Sequence, residues 1–333
     1  MKVVNQTTLR RRARLSGIGV HSNAPVELTL HPAEADHGIV FLRTGLPGSQ
    51  GLAVTQQFAG TKELAGGQSR VIEAIWSQVT MTELCTVIGD SSAGSVSTIE
   101  HLMSALAGLG VDNVLVEING PEVPIMDGSS VAFVEAIDEA GIVELHAPRR
   151  YLKIIKPVRI DMGRGYSELR PAAKGFHLDV EIDFSADVIG RQSTALELEP
   201  ATFRREISRA RTFGFIRDVE RLWKAGFALG SSLENSVALE DDRVINPEGL
   251  RYKDEFVRHK TLDAIGDLAL AGLPIIGAYR SYCAGHKMNV AVLEALFSDA
   301  TAYDIIEAPR VRSPAPHAQP MHAGIAAYAP DVN

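Results

Sequence analysis

Apolar and polar positions alternate in short runs at the start of the chain and change to a helical spacing further on. Val26-Glu27-Leu28-Thr29-Leu30 and Gly38-Ile39-Val40-Phe41-Leu42 are strand-like and separated by turn residues, which predicts antiparallel strands between residues 2 and 43. Val3, Val4, Thr7, Thr8 and Leu9 predict a strand that enters the fold at once. The Gly-, Gln- and Ser-rich stretch from about 45 to 69 has weak periodicity and predicts a loop or insertion. Residues 97–108 then predict a helix closed by Gly108 and Gly110, 113–118 a strand, and 131–140 a second helix ended by Gly141.

The pattern restarts near Ala147-Pro148-Arg149-Arg150, with strands predicted over 151–155 and 175–184 and helices over 202–217 and 252–273. Strands followed by helices thus occur twice. This predicts an α+β fold of two similar domains, 1–148 and 149–307, each a small sheet with helices, although the halves share no alignable repeat. The Pro-, Ala- and His-rich tail, 308–333, is expected to lack regular structure.

With 333 residues and 45% hydrophobic content the chain can bury a large core. The formal net charge of -8 repels nucleic acid and anionic lipid, so a polyanionic ligand must meet a local basic site. Two cysteines, Cys85 and Cys283, supply no disulfide framework and read as thiols of a reducing compartment. Arg10, Arg11, Arg12 and Arg14 precede no apolar signal region, and no stretch reaches the ~20 apolar residues of a membrane span. The expectation is a cytoplasmic monomer without stable membrane insertion that acts on a small molecule and binds no nucleic acid.

Four segments carry candidate chemistry. In Arg258-His259-Lys260-Thr261-Leu262-Asp263-Ala264-Ile265-Gly266-Asp267, at roughly 100° per residue, His259, Asp263 and Asp267 share a narrow sector opposite Leu262, Ile265 and Leu268. A His and a carboxylate four apart can bind one metal ion, with Asp267 orienting another polar group. A solvated helix face with a stabilising pair accounts for the same spacing. In Ser97-Thr98-Ile99-Glu100-His101, Ser97 and Glu100 have capping-box spacing, yet a Glu beside a His also suits a metallohydrolase, the imidazole binding metal and the carboxylate taking a proton from water. Two His and one Asp make a catalytic zinc site with an open position. In Ser281-Tyr282-Cys283-Ala284-Gly285-His286-Lys287, His286 is placed to enter a site where Asp267 could keep it protonated, and an exposed loop histidine is the plainer alternative. In Ser208-Arg209-Ala210-Arg211-Thr212-Phe213-Gly214-Phe215, Thr212 could donate to an oxyanion while Phe213 and Phe215 line an acyl pocket or fill the core.

Taken in order, these segments resemble the family of UDP-3-O-acyl-N-acetylglucosamine deacetylases. The resemblance spans nearly the whole chain, from Ser16-Gly17-Ile18-Gly19-Val20-His21-Ser22 through Glu122-Val123-Pro124-Ile125-Met126-Asp127-Gly128-Ser129 to Gly285-His286. It implies that His101, His259 and Asp263 bind zinc, with Glu100 as general base, His286 as the protonated partner of the departing amine and Asp267 holding His286 charged. Lys260 and Thr212 resemble the groups that bind substrate or stabilise the tetrahedral intermediate. The resemblance also implies helices packed between two sheets. The implied reaction is hydrolysis of the acetamide of UDP-3-O-(3-hydroxyacyl)-N-acetylglucosamine, in lipid A biosynthesis.

The chain departs from the family in a longer stretch between about 45 and 79 and in Gly230-Ser231-Ser232-Leu233-Glu234-Asn235, where consecutive glycines are usual. Lys260, Arg258 and Arg280 are candidates to meet the phosphates, and a His/His/Asp set accepts several divalent ions, iron included. Two other readings fit these residues. One is a metal-dependent deacetylase of another N-acyl sugar, which substrate profiling would separate. The other is a non-catalytic sugar-nucleotide binding protein, which would bind after chelation and release no acetate.

Overall fold

The structure, a computed structural model, describes residues 5–46 and 68–308. Expectations for Val3 and Val4, for most of the 45–69 loop and for the tail beyond Ala308 lie outside the described residues. The fold is α+β, as the two rounds of strands and helices predict. A five-stranded sheet runs in the order Ala13–Ile18, Pro25–Pro32, Val114–Ile118, Ile39–Leu46, Gln68–Glu73, with only Ile39–Leu46 and Val114–Ile118 parallel. Alternation along Pro25–Pro32 buries Val26, Leu28 and Leu30 on one face, the signature of a half-buried strand. Asn5–Leu9 pairs with Ile142–Pro148, and Val79–Met81, Val87–Asp90 and Gly94–Val96 form a small sheet.

Beyond Pro148 a seven-stranded sheet centres on Ile275–Tyr282, which pairs with Arg150–Ile154, Gly165–Arg170 and Phe176–Asp183. A three-stranded sheet of Phe213–Phe215, Val237–Glu240 and Arg243–Val244 stands apart from it. The helices are α1 (Glu100–Leu109), α2 (Val131–Ala140), the single turn α3 (Pro200–Thr202), α4 (Ile216–Lys224), α5 (Glu255–Leu268) and α6 (His286–Ser298). α2 lies on the five-stranded sheet, α5 and α6 lie on the seven-stranded one, and α1 packs against both α2 and α5. A helical layer therefore stands between the sheets, and one continuous apolar core runs through it from Leu9 to Ala302.

Three predicted elements change. The helix of 97–108 begins at Glu100, and its capping box does not form: the residue before α1 is Ile99, without a side-chain cap, while Ser97 Oγ donates to the Pro121 carbonyl. The helix ends at left-handed Gly110; Gly108 lies inside it, where any side chain would run into the ring of Phe203. The helix of 202–217 is replaced by α3, a π-turn over Phe203–Ile207, an extended run and α4. Pairing across the molecule outcompetes helical spacing there, because Ser130 N donates to Ser208 O, Thr212 N to Gly128 O and Val237 N to Thr212 O. Helix α5 is shorter than 252–273 and is stopped by a 3-10 turn and left-handed Gly272.

Candidate metal centre

His259, Asp263 and Asp267 recur every four residues on α5, and all three are at least 98% buried. They do not form a solvated helix face. Opposite them stands the first turn of α1 with Glu100 and His101, also buried. Gly266 makes this approach possible, since a methyl group there would run into the Glu100 carbonyl. The turn before α1 is braced by Thr98, in the left-handed region at φ 55, whose hydroxyl donates to Glu122 at 2.9 Å. Glu122 also accepts from His21 N, Ser22 N and Ser22 Oγ, so the segments 16–22 and 122–129 act together to seat α1.

His101, His259 and Asp263 each present one ligand atom, all within 4.8 Å of one another. His259 Nδ1 donates to the Ala210 carbonyl at 3.1 Å, which leaves the Nε2 lone pair directed at Asp263 Oδ1, 3.3 Å away. His101 Nε2 lies 3.7 Å from the same oxygen. Burial, assisted by the neighbouring His259, pushes His101 down to about 3, and burial also lowers His259, so both rings are neutral. Burial works against the charge of Asp263, but the cationic Lys260 and His286 hold its carboxyl below the usual range. Asp263 Oδ2 accepts from Lys260 Nζ at 2.8 Å, whereas buried Oδ1 has no hydrogen-bond donor. Two neutral imidazole nitrogens therefore face one bare carboxylate oxygen, and buried His101 Nδ1 has no hydrogen-bond partner either. Their 3.3 and 3.7 Å separations bracket the roughly 3.4 Å expected between two ligands of a tetrahedral ion at about 2.1 Å. The residues fit a divalent cation.

Glu100 and His286 flank this cluster, with His286 Nε2 3.8 Å from Glu100 Oε1. Burial, reinforced by Asp267 and Asp263 and opposed by His286, raises Glu100 to about 7. Burial opposes the charge of His286, but Asp267 and Glu100 outweigh it and raise the ring to about 9. His286 Nδ1 donates to Asp267 Oδ2 at 2.8 Å. A cleft of about 620 Å³ opens over Glu100, His101, Thr212, Phe213, Lys260 and His286.

Thr212 and Phe213 line the cleft; Phe213 also packs edge-on against Phe256 and His259. Phe215 is half-buried beneath Arg217 and is not among the lining residues. Arg258 is paired with Asp254 and Glu206, and Arg280 with Asp179, so both arginines are engaged away from the cleft. Asn235, in the glycine-poor run, holds the Gly230 carbonyl, and Gly230 N donates to Val20 O. Sequence reasoning missed Thr86 and Asn289, which hold Asp267, and the lining residues Met162 and Lys287. Asn289 stands three residues after His286 on α6 and could have been found by helical spacing. Thr86 offered no local signal.

Comparison with known proteins adds independent findings. A family model described as UDP-3-O-acyl N-acetylglycosamine deacetylase matches residues 6–298. Proteins named UDP-3-O-acyl-N-acetylglucosamine deacetylase from Brucella ovis, Brucella abortus (strain 2308) and Brucella melitensis biotype 2 are each 49% identical to this chain over 304 residues, 91% of it and 99% of theirs.

Proposed function

This chain belongs to the UDP-3-O-acyl N-acetylglycosamine deacetylase family, and we propose that it hydrolyses the acetamide of UDP-3-O-(3-hydroxyacyl)-N-acetylglucosamine in the cleft between α1 and α5. Acetate and the free 2-amine are the products, in the lipid A pathway. The observation that carries the site assignment is the bare Asp263 oxygen facing two neutral imidazoles. His101, His259 and Asp263 would hold the metal, and two nitrogens with one carboxylate suit zinc. When bound, zinc supplies a Lewis acid that polarises the acetyl oxygen and lowers the pKa of water toward ~7.

The chain's own groups do the rest. Glu100 takes the proton from the attacking water. Thr212 donates a hydrogen bond to the acetyl oxygen as negative charge gathers there, and Lys260 adds positive charge beside it. His286 delivers a proton to the nitrogen as the C–N bond breaks, with Asp267 maintaining its charge. Phe213 contributes apolar wall to the substrate cleft. We read the cleft as lying between two units, 1–148 and 149–307, because every strand pairing among the described residues falls within one or the other while the proposed ligands come from both. No described helix is long and apolar enough to cross a membrane. A nucleotide-activated substrate and two free cysteines support a cytoplasmic enzyme.

The direct test is acetate release from this substrate before chelation, after it, and after zinc is restored. Chelator-sensitive, zinc-restored release is the expected result. No release from the zinc-loaded protein overturns the proposal for this substrate.

A further inference from the structure

Thr86 is fully buried just ahead of the strand Val87–Asp90, 181 residues before Asp267 in sequence. Among the described residues, it alone hydrogen-bonds to both Glu100 and Asp267. Its backbone N–H donates to Glu100 Oε2 at 3.1 Å, and its hydroxyl donates to Asp267 Oδ1 at 2.6 Å. Asp267 is otherwise held through its second oxygen, which accepts from His286 Nδ1 and Asn289 Nδ2, both at 2.8 Å. Asn289 is fixed in turn by the hydroxyl of fully buried Tyr279, which donates to Asn289 Oδ1 at 2.5 Å.

A carboxylate gripped at one oxygen can still swing about its Cβ–Cγ bond; gripped at both, it cannot. We propose that Thr86 is a positioning residue that locks Asp267 and Glu100 to one anchor, and so fixes the distance between the group that takes a proton and the imidazole that gives one. The inference rests on the proposed roles of Glu100 and His286. Its content is geometric: the hydroxyl orients Asp267, Asp267 orients the His286 ring through Nδ1, and Nε2 is thereby aimed across the cleft at Glu100. Removing the hydroxyl leaves the Glu100 contact in place, because the backbone supplies it, and frees only the His286 side. Thr86 does not line the cleft, so substrate binding should be insensitive to it.

Thr86→Val keeps the shape and removes the hydroxyl. The full-length, zinc-loaded variant is expected to lose about 10- to 100-fold in kcat with KM within twofold, and Thr86→Ser is expected to restore most of the loss. Activities are normalised to folded, metal-bearing protein, so that a purely structural effect cancels. A second readout avoids turnover: the Nδ1 proton of His286, assigned by its absence in His286→Ala, should give a downfield NMR resonance in the parent that shifts or broadens in Thr86→Val. If Thr86→Val proves unstable, Thr86→Ala, which leaves room for a water, should show an intermediate kcat and the same NMR change. Normal kcat with an unchanged resonance overturns the proposal, as does a loss that serine fails to restore. Failure of the deacetylase reading is distinct, because the parent protein itself would then release no acetate.

Discussion

A base that takes a proton from water works best with a pKa near the operating pH. Burial beside Asp267 and Asp263 places Glu100 at about 7, and Glu100→Gln should lower acetate release by about 10²- to 10⁴-fold with unchanged zinc content. Thr212→Ala should raise the barrier by about 3 kcal/mol, roughly a hundredfold in kcat, again with zinc retained. With Glu100 as base and His286 as acid, as proposed, kcat/KM should rise with pH through Glu100 and fall through His286 at about 9. A nearby cation favours the Glu100 carboxylate and sets the rising limb at or below about 7. Asp267→Asn should move both limbs to lower pH, because the Asp267 carboxylate raises Glu100 as well as His286; a falling limb that stays put would detach Asp267 from His286. The spacing of His259, Asp263 and Asp267 was legible because one helix carries all three. Thr86 was not, because its partners come from elsewhere in the chain and only the closed fold brings them to it.

At the scale of elements, the contact between α1 and α5 decides the geometry of the cluster. Helix propensity alone ranks Gly266→Ala as stabilising by about 1 kcal/mol. The Glu100 carbonyl occupies the space a methyl group needs, so the substitution should instead lower the Tm and weaken zinc binding, measured by thermal melts and metal titration. A stabilised Gly266→Ala protein with normal zinc affinity would contradict this close approach. Periodicity located α2 to the residue, helped by the Gly141 stop, and α5 to within a few residues. It misread 202–217, where backbone groups pair with the loop at Gly128 instead of with their own turn. The Ser97 and Glu100 spacing misled for a related reason: Glu100 is occupied by Thr86 N and cannot reach back to cap α1.

For the whole molecule, the α+β class and the two rounds of strands and helices were legible, while the assembly of the five sheets among the described residues was not, because most of their pairings join residues distant in sequence. Ligands from α1 and α5 would make a bound ion a bridge between the two halves of the chain. Zinc that binds only the folded state stabilises it by about 2.7 kcal/mol at a hundred times its Kd, so chelation should lower the Tm and restored zinc should raise it again, read by calorimetry. A Tm indifferent to zinc would argue against a site shared by α1 and α5. Because a single core joins both halves, the linkage also runs in reverse. Any substitution that shifts the population toward the unfolded chain, even Phe133→Ala or Leu178→Ala, which remove no proposed ligand, lowers the fraction able to hold the ion. Metal retention under a weak competing chelator thus becomes a gauge of global stability, and a library sorted by it would rank core mutations without any assay of turnover.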